Sequence, residues 1–189
     1  VKTDGNALIV DGRQISPAQG TGAMIGAALA ATSYLKLEPP EVAIAGDTGR
    51  GEGSKAIYDY LIQNISYLEP DVLVLHYCLP DMALMRRLCQ AVDSCSKRPI
   101  MVADAASMYA AKATGLASRF DILTPDATEM AFLADPDAIH PAYINKHLFD
   151  TDTGQIPQLV SAAYGQGNTS RLLIVKGKTD YLAPEGRIV

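Results

Sequence analysis

Short apolar runs without alternation recur along the chain, separated by longer stretches whose apolar positions fall three and four residues apart. Residues 7–10 (ALIV), 42–45 (VAIA), 71–76 (DVLVLH), 99–103 (PIMVA), 120–124 (FDILT) and 171–176 (RLLIVK) read as strands. Continuous runs of this kind are expected where a strand is covered on both faces, as inside a parallel sheet. Residues 20–35, 55–65, 82–92, 105–112, a segment opening at 125–129, and 156–164 read as helices. In the third of these, Met82, Met85, Leu88, Cys89 and Val92 fall on one face and predict a packed stripe. Residues 179–189 have a hairpin-like pattern. Alternating strands and helices predict an α/β fold, three-layer αβα with a mostly parallel central sheet.

The breaks between elements carry their own signals. Asp11-Gly12 ends the first strand in a turn, and Gly22, Gly26 and several alanines give the first helix a surface that can pack closely. Pro39 and Pro40 stiffen the connector to residue 41. Residues 134–154 are irregular apart from a helix-compatible 142–148, with His140 and His147 expected as surface or packed residues.

Residues 41–63 combine strand, glycine loop and helix in one unit. Gly46, Gly49, Gly51 and Gly53 remove side chains where the backbone turns, Asp47 adds a charge, and Ser54 is placed to cap a helix beginning at Lys55. Free N–H groups at such a helix start favour an anion. The spacing matches neither the P-loop nor G-x-G-x-x-G, because Glu52 follows Gly51 and the glycines alternate. A phosphate or ligand loop and a solvated turn both fit it.

Several polar residues stand where strands end, and ligands of open α/β sheets collect beyond the carboxyl ends of strands. His76 and Cys78 are there, too few for a zinc site. Asp104 stands at the carboxyl end of the 99–103 strand and can meet solvent, a metal or a substrate hydroxyl, or serve as a helix cap. Asp126 and Glu129 have the spacing of an acidic capping box, which satisfies helix-start N–H groups without any function. Lys176 suits either a phosphate or solvent.

Composition narrows the classes. With 189 residues, 48% hydrophobic and 20% charged, the chain suits one globular domain spanning 1–189. A net charge of −5 and a pI near 5.1 argue against broad nucleic-acid or anionic-membrane binding and favour a small-molecule substrate. Cys78, Cys89 and Cys95 form no C-x-x-C pair and predict free thiols in a reducing, cytoplasmic compartment. The apolar stretch 24–35 is too short to cross a bilayer, and no export signal opens the chain, which begins at Val1. An apolar sheet edge would offer a surface for a homo-oligomer.

The segment ILTPDATEMAFL at 122–133 resembles the T-P-N-x-x-E segment of ribokinase-like kinases and the T-P-H-P-G-E segment of the related ATP- or ADP-dependent NAD(P)H-hydrate dehydratases. Residues 7–30, MVADAAS at 101–107 and LLIVKG at 172–177 resemble, in matching order, the dehydratases' first strand and helix, D-A-D segment and V-L-K-G strand. The resemblance implies a ribokinase-like fold binding ATP or ADP with Mg2+ beside a small hydroxylated substrate. It places Glu129 at magnesium, partly through water, Asp126 at the asparagine position, Lys176 and Gly177 beside the nucleotide, and Asp104 and His76 in the substrate cleft. The family's catalytic aspartate lies in a G-T-G-D segment that would follow Val189, so no catalytic residue is assigned within the chain. HYCLP at 76–80 replaces the dehydratases' G-P-G-L-G. A non-catalytic nucleotide or metabolite sensor is the competing expectation.

Overall fold

Two sheets organise the chain, each within its own compact unit, residues 1–46 and 47–189. The structure, a computed structural model, describes residues 1–4, 7–18, 20–46, 51–139 and 155–189. Asp47, Gly49, His140, His147 and the helix-compatible 142–148 lie outside the described residues.

In the first unit, β1 (Lys2–Asp4), β2 (Ala7–Val10) and β3 (Arg13–Ile15) form an antiparallel sheet in that order. Only β2 is evident from its apolar run; its short, polar neighbours carry no such signal. Asp11 and Gly12 both adopt positive φ, 48° and 75°, the geometry of a tight hairpin turn between β2 and β3. Helix α1 (Gly20–Leu35) follows the third strand. A Cβ on Gly22 would lie 1.9 Å from the Ser16 carbonyl oxygen, so the small residue serves a loop passing against the helix. Leu8 and Ile25 are the buried anchors of this unit. The expected strand at 42–45 does not form: these residues pair with no strand among the described residues, and Ile44 is 39% exposed. An apolar tetrapeptide becomes a strand only where a neighbour completes its hydrogen bonds.

In the second unit, β4 (Val72–His76), β5 (Ile100–Asp104), β6 (Ile122–Leu123), β7 (Leu172–Val175) and β8 (Tyr181–Pro184) form one sheet in chain order. The first four run parallel; β8 returns antiparallel to β7, so the hairpin expected within 179–189 instead joins that segment's single strand to β7. Among the described residues of this unit the α-helices are α2 (Glu52–Leu68), α3 (Met82–Asp93), α4 (Ala106–Ala113), α5 (Ala127–Ala134) and α6 (Ile156–Gly165). This is an α/β arrangement around a mostly parallel sheet.

Alternation along the strands divides the sheet into two faces. Leu73, Leu75, Met101, Ala103, Leu123, Leu173 and Val175 belong to the core. The same core takes in Met85, Leu88, Cys89 and Val92 of α3, as the stripe predicts, although Met82 is 38% exposed. On the opposite face Val72 and Val74 are 49% and 44% exposed, so the 71–76 run, expected to be covered twice, is covered once. Its strand is the sheet's edge. The glycine unit also differs from expectation. Helix α2 begins at Glu52, three residues before Lys55, with Gly51 at its N-cap in a left-handed conformation (φ 82°). Gly53 and Ser54 therefore lie inside the helix. Ser54 is buried and does not cap it; its Oγ accepts the Leu79 N–H at 3.0 Å, tying α2 to the loop after β4. The three cysteines are free thiols, Cys78 and Cys89 buried. Among the described residues, no helix is long and apolar enough to cross a membrane.

Candidate functional site

The carboxyl ends of the parallel strands gather polar residues from distant parts of the chain. Register pairs His76 with Asp104, and an isolated parallel bridge pairs Asp126 with Lys176. The Lys176 N–H donates to the Pro125 carbonyl at 2.7 Å, fixing the end of β7 beside the start of α5. His76, Asp104 and Lys176 continue the alternation of the less buried face, so their side chains meet above it.

Asp104 is the centre of this group. Its Oδ1 accepts from Thr124 Oγ1 at 2.8 Å and from Lys176 Nζ at 2.5 Å, while its Oδ2 lies 3.2 Å from His76 Nε2. Burial alone would raise this carboxyl, but the bonds from His76, Lys176 and Thr124 hold it well below the usual carboxylate range. The capping alternative for Asp104 fails, since Ala105 occupies the N-cap of α4 and no side chain caps that helix. The residues immediately after His76 and Asp104 both take positive φ, Tyr77 at 54° and Ala105 at 51°. Left-handed backbone at two neighbouring strand ends is costly for residues with a Cβ, and such strain concentrates at functional sites.

At the head of α5 the capping box is fully formed. Asp126 Oδ1 accepts the Glu129 N–H and Glu129 Oε2 accepts the Asp126 N–H, each at 2.8 Å. Burial pushes the Glu129 carboxyl up to about 7, against the Asp126 N–H bond and with a further push from the Asp126 charge. The structural role of this pair is thus realised in full, and its acidic charge is held beside Lys176 and Asp104, which both act on Glu129 electrostatically.

A pH dependence follows from Glu129. Its folded value of about 7 stands above its ordinary value of 4.5, so the folded chain binds more protons between them and stability falls as pH rises through this window. The contribution is up to about 3 kcal/mol, complete below pH 4.5 and lost above about 7. Asp104 acts oppositely and lower, losing stability as pH falls below about 3.8. Urea unfolding of Glu129→Gln, which keeps the capping geometry, should show a flatter profile between pH 4.5 and 7 than the unaltered chain. An unchanged slope would remove Glu129 as its source.

Beside Lys176 opens a notch of about 100 Å³ lined by Ala127, Ile156, Val175, Gly177, Lys178 and Tyr181, among others. It holds a single chemical group, being smaller than the roughly 300–1,000 Å³ clefts that enclose whole small molecules. Gly177 forms its rim; a Cβ there would press to 3.3 Å on the Thr179 carbonyl, and the Gly177 N–H donates to Asp180 at 2.9 Å.

The structure brings together His76, Asp104, Asp126, Glu129, Lys176 and Gly177. Ser54 is engaged with Leu79; Gly51 and Gly53 open α2, and Gly46 adopts φ 58° in the first unit. Sequence reasoning missed Thr124, Tyr77 and Tyr109. Tyr77 lies edge-on to the His76 ring at 4.6 Å. The Tyr109 hydroxyl is pushed up by burial and then by Glu129, Asp126, Tyr77 and Asp104, which marks it as a neighbour of the acidic group. Thr124 alone had a signal, its place within the T-P segment.

No family model matches the chain. The uncharacterized protein MJ1337 of Methanocaldococcus jannaschii is 35% identical over 166 residues, covering 88% of this chain and 67% of that protein. The chain belongs to the MJ1337 family. Among solved structures, Escherichia coli phosphofructokinase-2 in complex with fructose-6-phosphate aligns at a TM-score of 0.41 and 12% identity. That alignment covers 82% of this chain and 46% of the kinase, so the chain spans under half of the kinase's length. For this MJ1337-family chain, the case for chemistry rests on its own side chains.

Proposed function

We propose that the chain is part of a ribokinase-like enzyme that uses ATP or ADP with Mg2+ to phosphorylate a small hydroxylated molecule, or to dehydrate one through phosphorylation. The observation that carries this reading is the meeting of Lys176, Asp104 and the Asp126–Glu129 helix start at the carboxyl edge of one parallel sheet. The T-P-D-A-T-E and L-L-I-V-K-G segments named from sequence supply both sides of that meeting.

Each residue then has a distinct task. Lys176, half exposed at the lip of the notch, neutralises a phosphate oxygen. The start of α5 lends the positive end of its helix dipole to a phosphate. Asp104, ionised and facing the same edge, receives a substrate hydroxyl. Glu129 and Asp126 fit a magnesium ion only if it keeps water and takes phosphate oxygens as well, because no group of three or more acidic, His or Cys ligands exists among the described residues. When bound, the ion would neutralise charge building on the transferred phosphoryl group.

One observation favours the sensor alternative: Asp104 and the Asp126–Glu129 pair already have partners inside the protein. Calorimetric titration with ATP and ADP, with and without Mg2+, tests the reading. Saturable, magnesium-dependent binding that weakens in Glu129→Gln is expected. Absence of binding to the full-length natural protein at millimolar nucleotide would sink it, whereas binding without phosphoryl transfer by that protein to any hydroxylated compound in a substrate screen would select the sensor.

A further inference from the structure

Lys176 and His76 reach Asp104 from opposite sides, one on each carboxylate oxygen. They differ in freedom. The Lys176 side chain is 45% exposed at the edge of a notch, whereas His76 is 7% exposed and its ring is packed edge-on against Tyr77. A phosphoryl anion arriving at the notch therefore competes with Asp104 for Lys176, and the lysine is the member able to turn away. Thr124 and His76 would then be the remaining partners of a carboxylate that has lost its permanent cation. A neutral imidazole cannot balance that charge; an imidazolium can.

We propose that Lys176 and His76 share Asp104 as a common counter-ion, so that capture of a phosphoryl anion by Lys176 draws a proton from solvent onto His76. This deepens the nucleotide-enzyme reading and rests on it for the identity of the anion. It turns a fixed salt bridge into a proton-coupled anion site. Among the described residues, the other charged or titratable groups around the cluster include Tyr77 beside the ring, Tyr109 from α4, and Asp126 and Glu129 from α5, with Tyr109 and Glu129 each interacting electrostatically with the acids of the site. None of them donates to Asp104 in place of Lys176. The two acids of α5 favour an imidazolium but oppose the anion, and Glu129, pushed up to about 7, competes with His76 for the proton, which is why the imidazole itself is followed.

The chain has three histidines, which makes the test direct. Nitrogen-15 NMR of the full chain follows the His76 ring from pH 5 to 9, its signal identified by loss in His76→Gln, with and without metal-free tripolyphosphate as the probe. Calorimetry on the same samples reports binding. Tripolyphosphate should raise the His76 titration midpoint by about one pH unit. Lys176→Met should raise it without any anion, Lys178→Met, which removes an equal charge from the same notch, should raise it far less, and Asp104→Asn should abolish most of the anion-induced rise. Binding with no movement of the His76 midpoint would overturn the coupling and leave the nucleotide reading standing. An equal shift in Lys178→Met would also overturn it, showing a general field and not a shared carboxylate. Absence of saturable binding to the unaltered chain would overturn the assignment of Lys176 to phosphate, and the coupling with it.

Discussion

Phe132→Ala is expected to destabilise the second unit by about 3–5 kcal/mol, the largest stability effect of any single change considered. Phe132 is 1% exposed in the core. Its ring meets Tyr109 edge-on at 4.7 Å and 77°, an arrangement worth about 0.5–1.5 kcal/mol beyond burial. The Lys112 ammonium sits 4.3 Å from the ring centroid and donates to the carbonyls of Phe132 and Asp135, closing the end of α5. Burial pushes this lysine down to about 8, against the Asp135 charge, so the ring and carbonyls together keep a cation in an apolar place. Alanine would leave a cavity, unstack Tyr109 and strip Lys112 of its ring. A domain is stable by only about 5–15 kcal/mol, so the loss is a large share of the total. Urea unfolding at pH 7 measures it, with Phe132→Leu as the milder comparison. A loss below about 1 kcal/mol would show that the site collapses around the smaller side chain.

The largest expected effect on binding comes from Lys176→Met. Hydrogen bonds to charged groups contribute about 1.5–3 kcal/mol, so nucleotide affinity should fall about 10- to 150-fold. Two effects act in the same direction: the phosphate loses its cation, and Asp104 loses the group that masks it. Fold stability should also fall, because Lys176 is half exposed but its partner Asp104 is largely buried and loses one of the three groups that hold its charge. Asp104→Asn has the opposite sign for binding, since it frees Lys176. Calorimetry with MgATP on the two variants, with thermal unfolding as the control, checks both. Tighter or unchanged binding in Lys176→Met would exclude this lysine from the phosphate site.

What the sequence determined by itself is local. The Asp126–Glu129 capping box spans four residues and closes without outside help, so its pattern and its geometry agree. The apolar runs that became β2, β4, β5, β6 and β7 were visible because strand cores are short and rich in branched residues. The packed stripe of α3 was visible because its period is the helix's own. Tertiary structure decided the rest. Residues 42–45 and 72–76 look alike in sequence, yet among the described residues only the second run has a partner strand, and Val72 and Val74 lie exposed, like Ile100 beside them, on the less covered face of the sheet. Ser54 has the chemistry of a cap, but an N–H twenty-five residues away claims its oxygen. Asp104 and Lys176 are separated by 72 residues and meet only because β5 and β7 end at the same edge of one sheet. A propensity or a cap is set by neighbours within one turn of chain. A charge cluster is set by where strands end relative to one another, and that distance is not written along the sequence.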